Sequence, residues 1–137
     1  MWWLLAAAVV VAGVVVWRLA ARPRGKARRP TPAPGPAPGD IWWADVPFED
    51  GTGSKVRPCL VLRAHAKTVD VLKITSRDQS RRRDHVEIPT RHWDPRAGHN
   101  SHLDLTDPIR VPRRAFADKA GRLDAATWRK VRRLHGI

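Results

Sequence analysis

The chain has almost no cysteine. Its 137 residues include a single cysteine, Cys59, which excludes an internal disulfide framework and a Cys-x-x-Cys metal ribbon. Cys59 lies within the apolar run Cys-Leu-Val-Leu, where a free cysteine acts as a small buried hydrophobe. The GxSxG, Walker, HExxH and GxGxxG signatures are all missing, so a serine hydrolase, a P-loop enzyme, a zincin and a dinucleotide-binding fold lose their sequence support. Gly51-Thr52-Gly53 is too short to serve as a phosphate loop. Acidic residues are absent from the first 39 positions.

What is there divides into three parts. Met1 to Trp17 carries no charge, and Leu19-Ala20-Ala21 extends the apolar stretch past Arg18. A bilayer is crossed by ~20 apolar residues, with ~17 as the lower limit. Trp2, Trp3 and Trp17 stand where interfacial aromatics belong, and Arg18 is placed to snorkel. Positive charge follows this run rather than preceding it, unlike a cleaved signal peptide. Residues 1–21 are therefore expected to be an uncleaved, single-pass anchor in the cell membrane, with the remainder facing the cytoplasm. Residues 22–38 combine an Arg/Lys cluster with alternating prolines, a stiff basic linker suited to anionic headgroups. Residues 39–137 are left as one small domain. It holds twenty basic and thirteen acidic residues, a net +7, which suggests a polyanionic partner such as nucleic acid, acidic lipid or acidic protein.

Within this domain, Ile41–Ala44, Val56–Arg63 and Thr68–Thr75 read as strands, as do the shorter His85–Ile88, His102–Leu105 and Ile109–Val111. Asp45–Lys55 is a long connection between the first two. Asp124 is a good helix N-cap, Leu123 is placed to staple against Trp128, and Trp128, Val131 and Leu134 form an apolar stripe. The expected fold is mainly β with a C-terminal helix, a small, partly closed barrel.

Six histidines raise the question of a metal. His99 and His102 are three apart and His85 and His92 are near in sequence, but they fall in loops and strands, where that spacing does not align two rings. No metal site and no cofactor is expected. Cleavage of RNA needs neither, because the 2′-hydroxyl can attack its own phosphodiester. The protein must then position the backbone, assist proton transfer and stabilise charge on the phosphoryl oxygens. Arginine offers a fixed fork of donors for phosphate, and a neighbouring hydroxyl adds another. Arg57 at the start of the second strand and Thr75-Ser76 at the end of the third supply such a pair if the two strands are neighbours.

Three segments, Gly39–Leu62, the Val-Leu-Lys-Ile-Thr-Ser stretch continuing to Pro89, and Thr106–Leu134, resemble in order the MazF/PemK family of toxin endoribonucleases. The resemblance rests on a Gly-Asp-hydrophobic strand, a gating loop, an Arg-Pro leading into an apolar strand, a strand ending in Thr-Ser, a His-Val-Glu strand and an Asp-x-x-Arg segment. A Lys-x-Gly-Arg-Leu turn before the last helix completes it. It implies an SH3-like barrel, usually a homodimer, that cleaves single-stranded RNA without metal and is blocked by a cognate antitoxin. It places Arg57 and Thr75 on catalytic positions and Asp107 on an acid that acts as base or orients the site. It also implies that Lys55, Ser76, Arg77 and Arg110 bind RNA. Two positions depart from the PemK pattern: Asp107 is followed by Pro108 where that branch has Gln, and Leu105 stands where it has an arginine. The alternative from a different class is a catalytically silent module of the same fold that holds nucleic acid, DNA included, or a protein at the membrane.

Overall fold

The computed structural model describes residues 34–137. The expected anchor and most of the linker lie outside the described residues. Among those described, no helix is long and apolar enough to cross a membrane.

The domain contains seven strands: β1 (Asp40–Pro47), β2 (Ser54–Ala64), β3 (Thr68–Thr75), β4 (His85–Ile88), β5 (Ser101–Asp104), β6 (Ile109–Pro112) and β7 (Phe116–Arg122). A single 3-10 turn, Arg113–Ala115, joins β6 to β7, and the helix α1 (Ala125–His135) closes the chain. All pairings are antiparallel. The sheet runs β4-β5-β3-β2-β1-β7, with β6 added to β3. β5 and β6 divide one edge of β3 between them: Thr68–Val71 pairs with β6, and Ile74–Thr75 pairs with β5. Each is only four residues long, and neither carries the sheet round to β7. The expectation of a partly closed barrel is corrected accordingly, because β4 and β7 remain the two ends of an open path.

The period-two alternation of the long strands sorts their side chains into two cores. Leu60, Leu62, Leu72, Ile74, Ile88 and Leu103 share one face with Val131 of α1 and Trp93. Cys59, Val61, Val69, Val71 and Val111 occupy the other, together with Ala44 and Val46. Each fully buried Leu, Ile or Val contributes about 1.5–3 kcal/mol relative to exposure. Desolvation raises the Cys59 thiol to about 12, which keeps it protonated and inert at neutral pH.

The helix behaves largely as its sequence indicates. Asp124 Oδ2 accepts from the Thr127 N–H at 3.0 Å, and Gly136 ends the helix with φ +64°. Leu134, expected on the apolar stripe, is exposed.

The segment before the helix is the larger difference. Phe116–Arg122, of which the resemblance implies a turn from Lys119 onward, is strand β7 on the outer edge of β1. Its charged and small residues carry no alternating pattern, and its register against β1 shifts twice. Tertiary pairing with an available edge decides this element. Gly121 permits the approach, since a Cβ there would stand 2.8 Å from the Trp93 Cβ.

Candidate active site

The register of the sheet builds the site. Cys59 pairs with Lys73 across β2 and β3. Continuing that register toward the start of β2 sets Arg57 opposite Thr75, on the same face. Directly opposed residues have Cβ atoms about 4.5–5.5 Å apart. On its other side Thr75 pairs with His102 of β5, which pairs with Glu87 of β4. One polar row therefore crosses four strands as Arg57, Thr75, His102 and Glu87. The row beside it contains Lys73, Asp104 and His85, with Asp104 directly opposite His85. This polar surface continues the face that buries Cys59, Val61 and Val71 further along the same strands.

Over Arg57 and Thr75 of the first row and Lys73, Asp104 and His85 of the second lies a cleft of about 1030 Å³. Arg57, Thr75, Ser76, Arg77, Lys55 and Asp107 all line it. The sheet thus brings together six of the seven residues singled out from the sequence. Arg110 lies elsewhere: it pairs with Asp70 across β3 and β6, its Nε donating to Asp70 Oδ1 at 2.9 Å. The β1–β2 connection supplies Phe48 and Glu49 to the rim, and Trp43 and Trp93 add an aromatic wall.

The polar groups are tightly committed. The Arg77 N–H donates to Thr75 Oγ1 at 3.2 Å, which occupies a lone pair and leaves the hydroxyl proton to be donated elsewhere. Lys73 Nζ donates to Glu49 Oε1 at 2.7 Å, tying the β1–β2 connection to the cleft floor. That bond, chiefly, holds the Glu49 carboxyl below its ordinary value. Asp107 Oδ2 stands 3.9 Å from the same ammonium. Arg57 takes part in none of the ion pairs among the described residues. The lining is balanced, not uniformly basic: Lys55, Arg57, Lys73, Arg77 and Arg82 face Glu49, Asp84, Asp94, Asp104 and Asp107. The basic excess of the domain therefore lies largely outside the cleft, for example on Arg129, Lys130, Arg132 and Arg133 of α1.

One group escaped the sequence reading. His85 Nδ1 lies 2.7 Å from Asp84 Oδ1, and Arg82 grips the same carboxylate with Nε at 3.0 Å and Nη2 at 2.8 Å. Ligand-capable atoms of Asp84, His85 and Asp104 fall within 4.8 Å of one another. The histidine spacings considered in the sequence do not lead there, because β5 supplies Asp104 across the sheet. Since Arg82 already engages both oxygens of Asp84, the group is an ion-pair network and not an open ligand set. The other histidines make separate contacts: His92 Nε2 meets the Arg122 carbonyl at 3.1 Å, and His102 is buried with Nδ1 unpartnered.

The fold has clear relatives among solved structures. A MazE–MazF crystal structure from Deinococcus radiodurans is similar with a TM-score of 0.59 and 19% identity, over 76% of this chain and 95% of that one. A mycobacterial endoribonuclease in complex with its cognate antitoxin is similar with a TM-score of 0.54 and 15% identity, over 75% and 97% of the two chains. No curated protein matches by sequence. The profile of the PemK-like, MazF-like toxins of type II toxin–antitoxin systems matches residues 37–134, a span that takes in the whole sheet, the cleft and nearly all of α1. The chain belongs to that toxin family.

Proposed function

We propose that the chain is a toxin endoribonuclease that cleaves single-stranded RNA by attack of a 2′-hydroxyl on the adjacent phosphodiester, without metal. The observation that carries this reading is the placement of Arg57 and Thr75 on one face of neighbouring strands, in one cleft. The Arg57 guanidinium, not held by an internal carboxylate, donates to the phosphoryl oxygens as negative charge builds there. Thr75, its oxygen already accepting from Arg77, donates its proton to the same group. Lys55, Ser76 and Arg77 at the cleft mouth hold the flanking backbone, and Asp107 orients the site beside Lys73. The products are a 2′,3′-cyclic phosphate and a 5′-hydroxyl.

The charge-free run before Arg18 supports a further element of the proposal, a toxin tethered to the cell membrane by its N-terminus with the domain facing the cytoplasm. By analogy with the similar complexes, a cognate antitoxin is its protein partner; the family resemblance adds a homodimer as its assembly.

The test is product analysis. The purified chain, incubated with single-stranded RNA in excess chelator, is expected to yield cyclic phosphate ends. Arg57→Ala should cut about 10²–10³-fold more slowly, as for loss of one oxyanion donor. Binding of RNA with no cutting at high protein concentration would favour the silent binding module instead.

A further inference from the structure

We propose that His85 is the general base of this cleft, its Nε2 taking the proton of the attacking 2′-hydroxyl, with Asp84 and Arg82 fixing its tautomer. The inference rests on the endoribonuclease reading above and supplies a part which Arg57 and Thr75 cannot, since neither is a proton acceptor at neutral pH, while Asp107 is set beside the Lys73 ammonium in its orienting role.

The geometry is specific. Arg82 binds the Asp84 carboxylate through both oxygens, and His85 adds a third contact. Arg82 first, and His85 second, hold that carboxyl far below the ordinary range. An ionised carboxylate only accepts hydrogen bonds, so the 2.7 Å contact places the ring proton on Nδ1. In the neutral ring Nε2 is then a bare acceptor. When Nε2 takes up a proton, the resulting imidazolium is stabilised by Asp84 on its own side and by Asp104 directly opposite on β5. The side chain is only 7% exposed, yet it lines the cleft, so packing limits the ring's rotation.

Placement relative to the reacting atoms is also suitable. His85 lies two strands from β3 and one row from Thr75. Ordinary strand spacing and rise put their Cα atoms about 12 Å apart. Both side chains line the same cleft, where a phosphate and its neighbouring 2′-hydroxyl can lie between them. The step balances as follows. The 2′-oxygen forms a bond to phosphorus as its proton passes to Nε2. The P–O5′ bond breaks, and the 5′-oxygen takes a proton from solvent water. The imidazolium returns its proton to solvent.

The test uses the full chain, a mixed-sequence single-stranded RNA, and the same sequence with 2′-fluoro riboses, which cannot attack. His85→Ala should cut about 10²–10⁴-fold more slowly, the range for loss of a positioned base, while binding the 2′-fluoro RNA within about twofold of the unmodified chain. Added imidazole should restore cutting by about tenfold in His85→Ala and leave Arg57→Ala unaffected. Cutting by His85→Ala within about threefold of the unmodified chain, failure of imidazole to restore it, or loss of binding in step with loss of cutting would overturn the role of His85 alone. Failure of the unmodified chain to cut any RNA would instead overturn the endoribonuclease reading itself.

Discussion

The domain contains two His–Asp–Arg groups of nearly the same composition. In one, His85 and Arg82 flank Asp84. In the other, His65 Nε2 lies 2.9 Å from Asp70 Oδ2, and Arg110 Nε donates to Asp70 Oδ1 at 2.9 Å. In both, the arginine is the first cause of a depressed carboxyl. They differ in which part is buried. His85 is 7% exposed beside an aspartate that is 34% exposed, whereas His65 is 44% exposed above one that is 16% exposed. They differ also in position, because the first lines the cleft with Arg57 and Thr75 and the second lies outside that lining. Composition and hydrogen bonding alone do not make a site. A histidine gains a chemical task only where the sheet delivers it to a cavity beside the other reacting groups.

This comparison is broken most directly by neutralising each aspartate. Asp84→Asn lets the imidazole turn to the wrong tautomer, a change that costs up to ~10⁴-fold in a Ser-His-Asp triad. About 10²-fold or more is expected here, seen in kcat with binding of the 2′-fluoro RNA preserved. Asp70→Asn should leave RNA cleavage within about threefold, as should His65→Ala, because the group lies outside the cleft lining and its exposed His65 and Arg110 partners contribute little. Equal losses from the two aspartates would erase the distinction between the groups.

A smaller effect is expected at the rim. Glu49 sits on Lys73 at 2.7 Å while being 74% exposed itself. Glu49→Gln frees that ammonium for a phosphate and should tighten RNA binding a few-fold at low salt, with the gain fading as salt rises. Titration of affinity against salt in the two proteins measures it.

The least effect concerns stability against pH. The carboxyls of Asp70 and Asp84 are both depressed, so their stabilisation is fully present above the unfolded value of about 4 and disappears as pH falls through the folded value. Tm should therefore hold steady above about pH 4 and decline below it. Asp70→Asn should flatten part of that decline, and thermal scans across acid pH show whether it does.

Much of this protein is determined by the sequence itself. β-branched alternation in Thr68–Thr75, the turn signals around Gly51 and Gly53, and the Asp124 cap all act over a few residues, so the main strands and the helix are legible in the chain. The likeness of the Arg-Pro and Thr-Ser segments to the toxin family is legible as well, and with it Arg57 and Thr75 as a pair worth testing. Tertiary structure alone decided three things. It made Phe116–Arg122 a strand, because the free edge of β1 supplies pairing that the segment's own pattern does not specify. It left the sheet open, because β5 and β6 share one edge of β3. It removed Arg110 from the cleft and brought His85 in, facing an aspartate from another strand. The physical reason is common to all three: strand pairing joins residues distant in the chain, and register, which no local pattern records, decides which side chains meet.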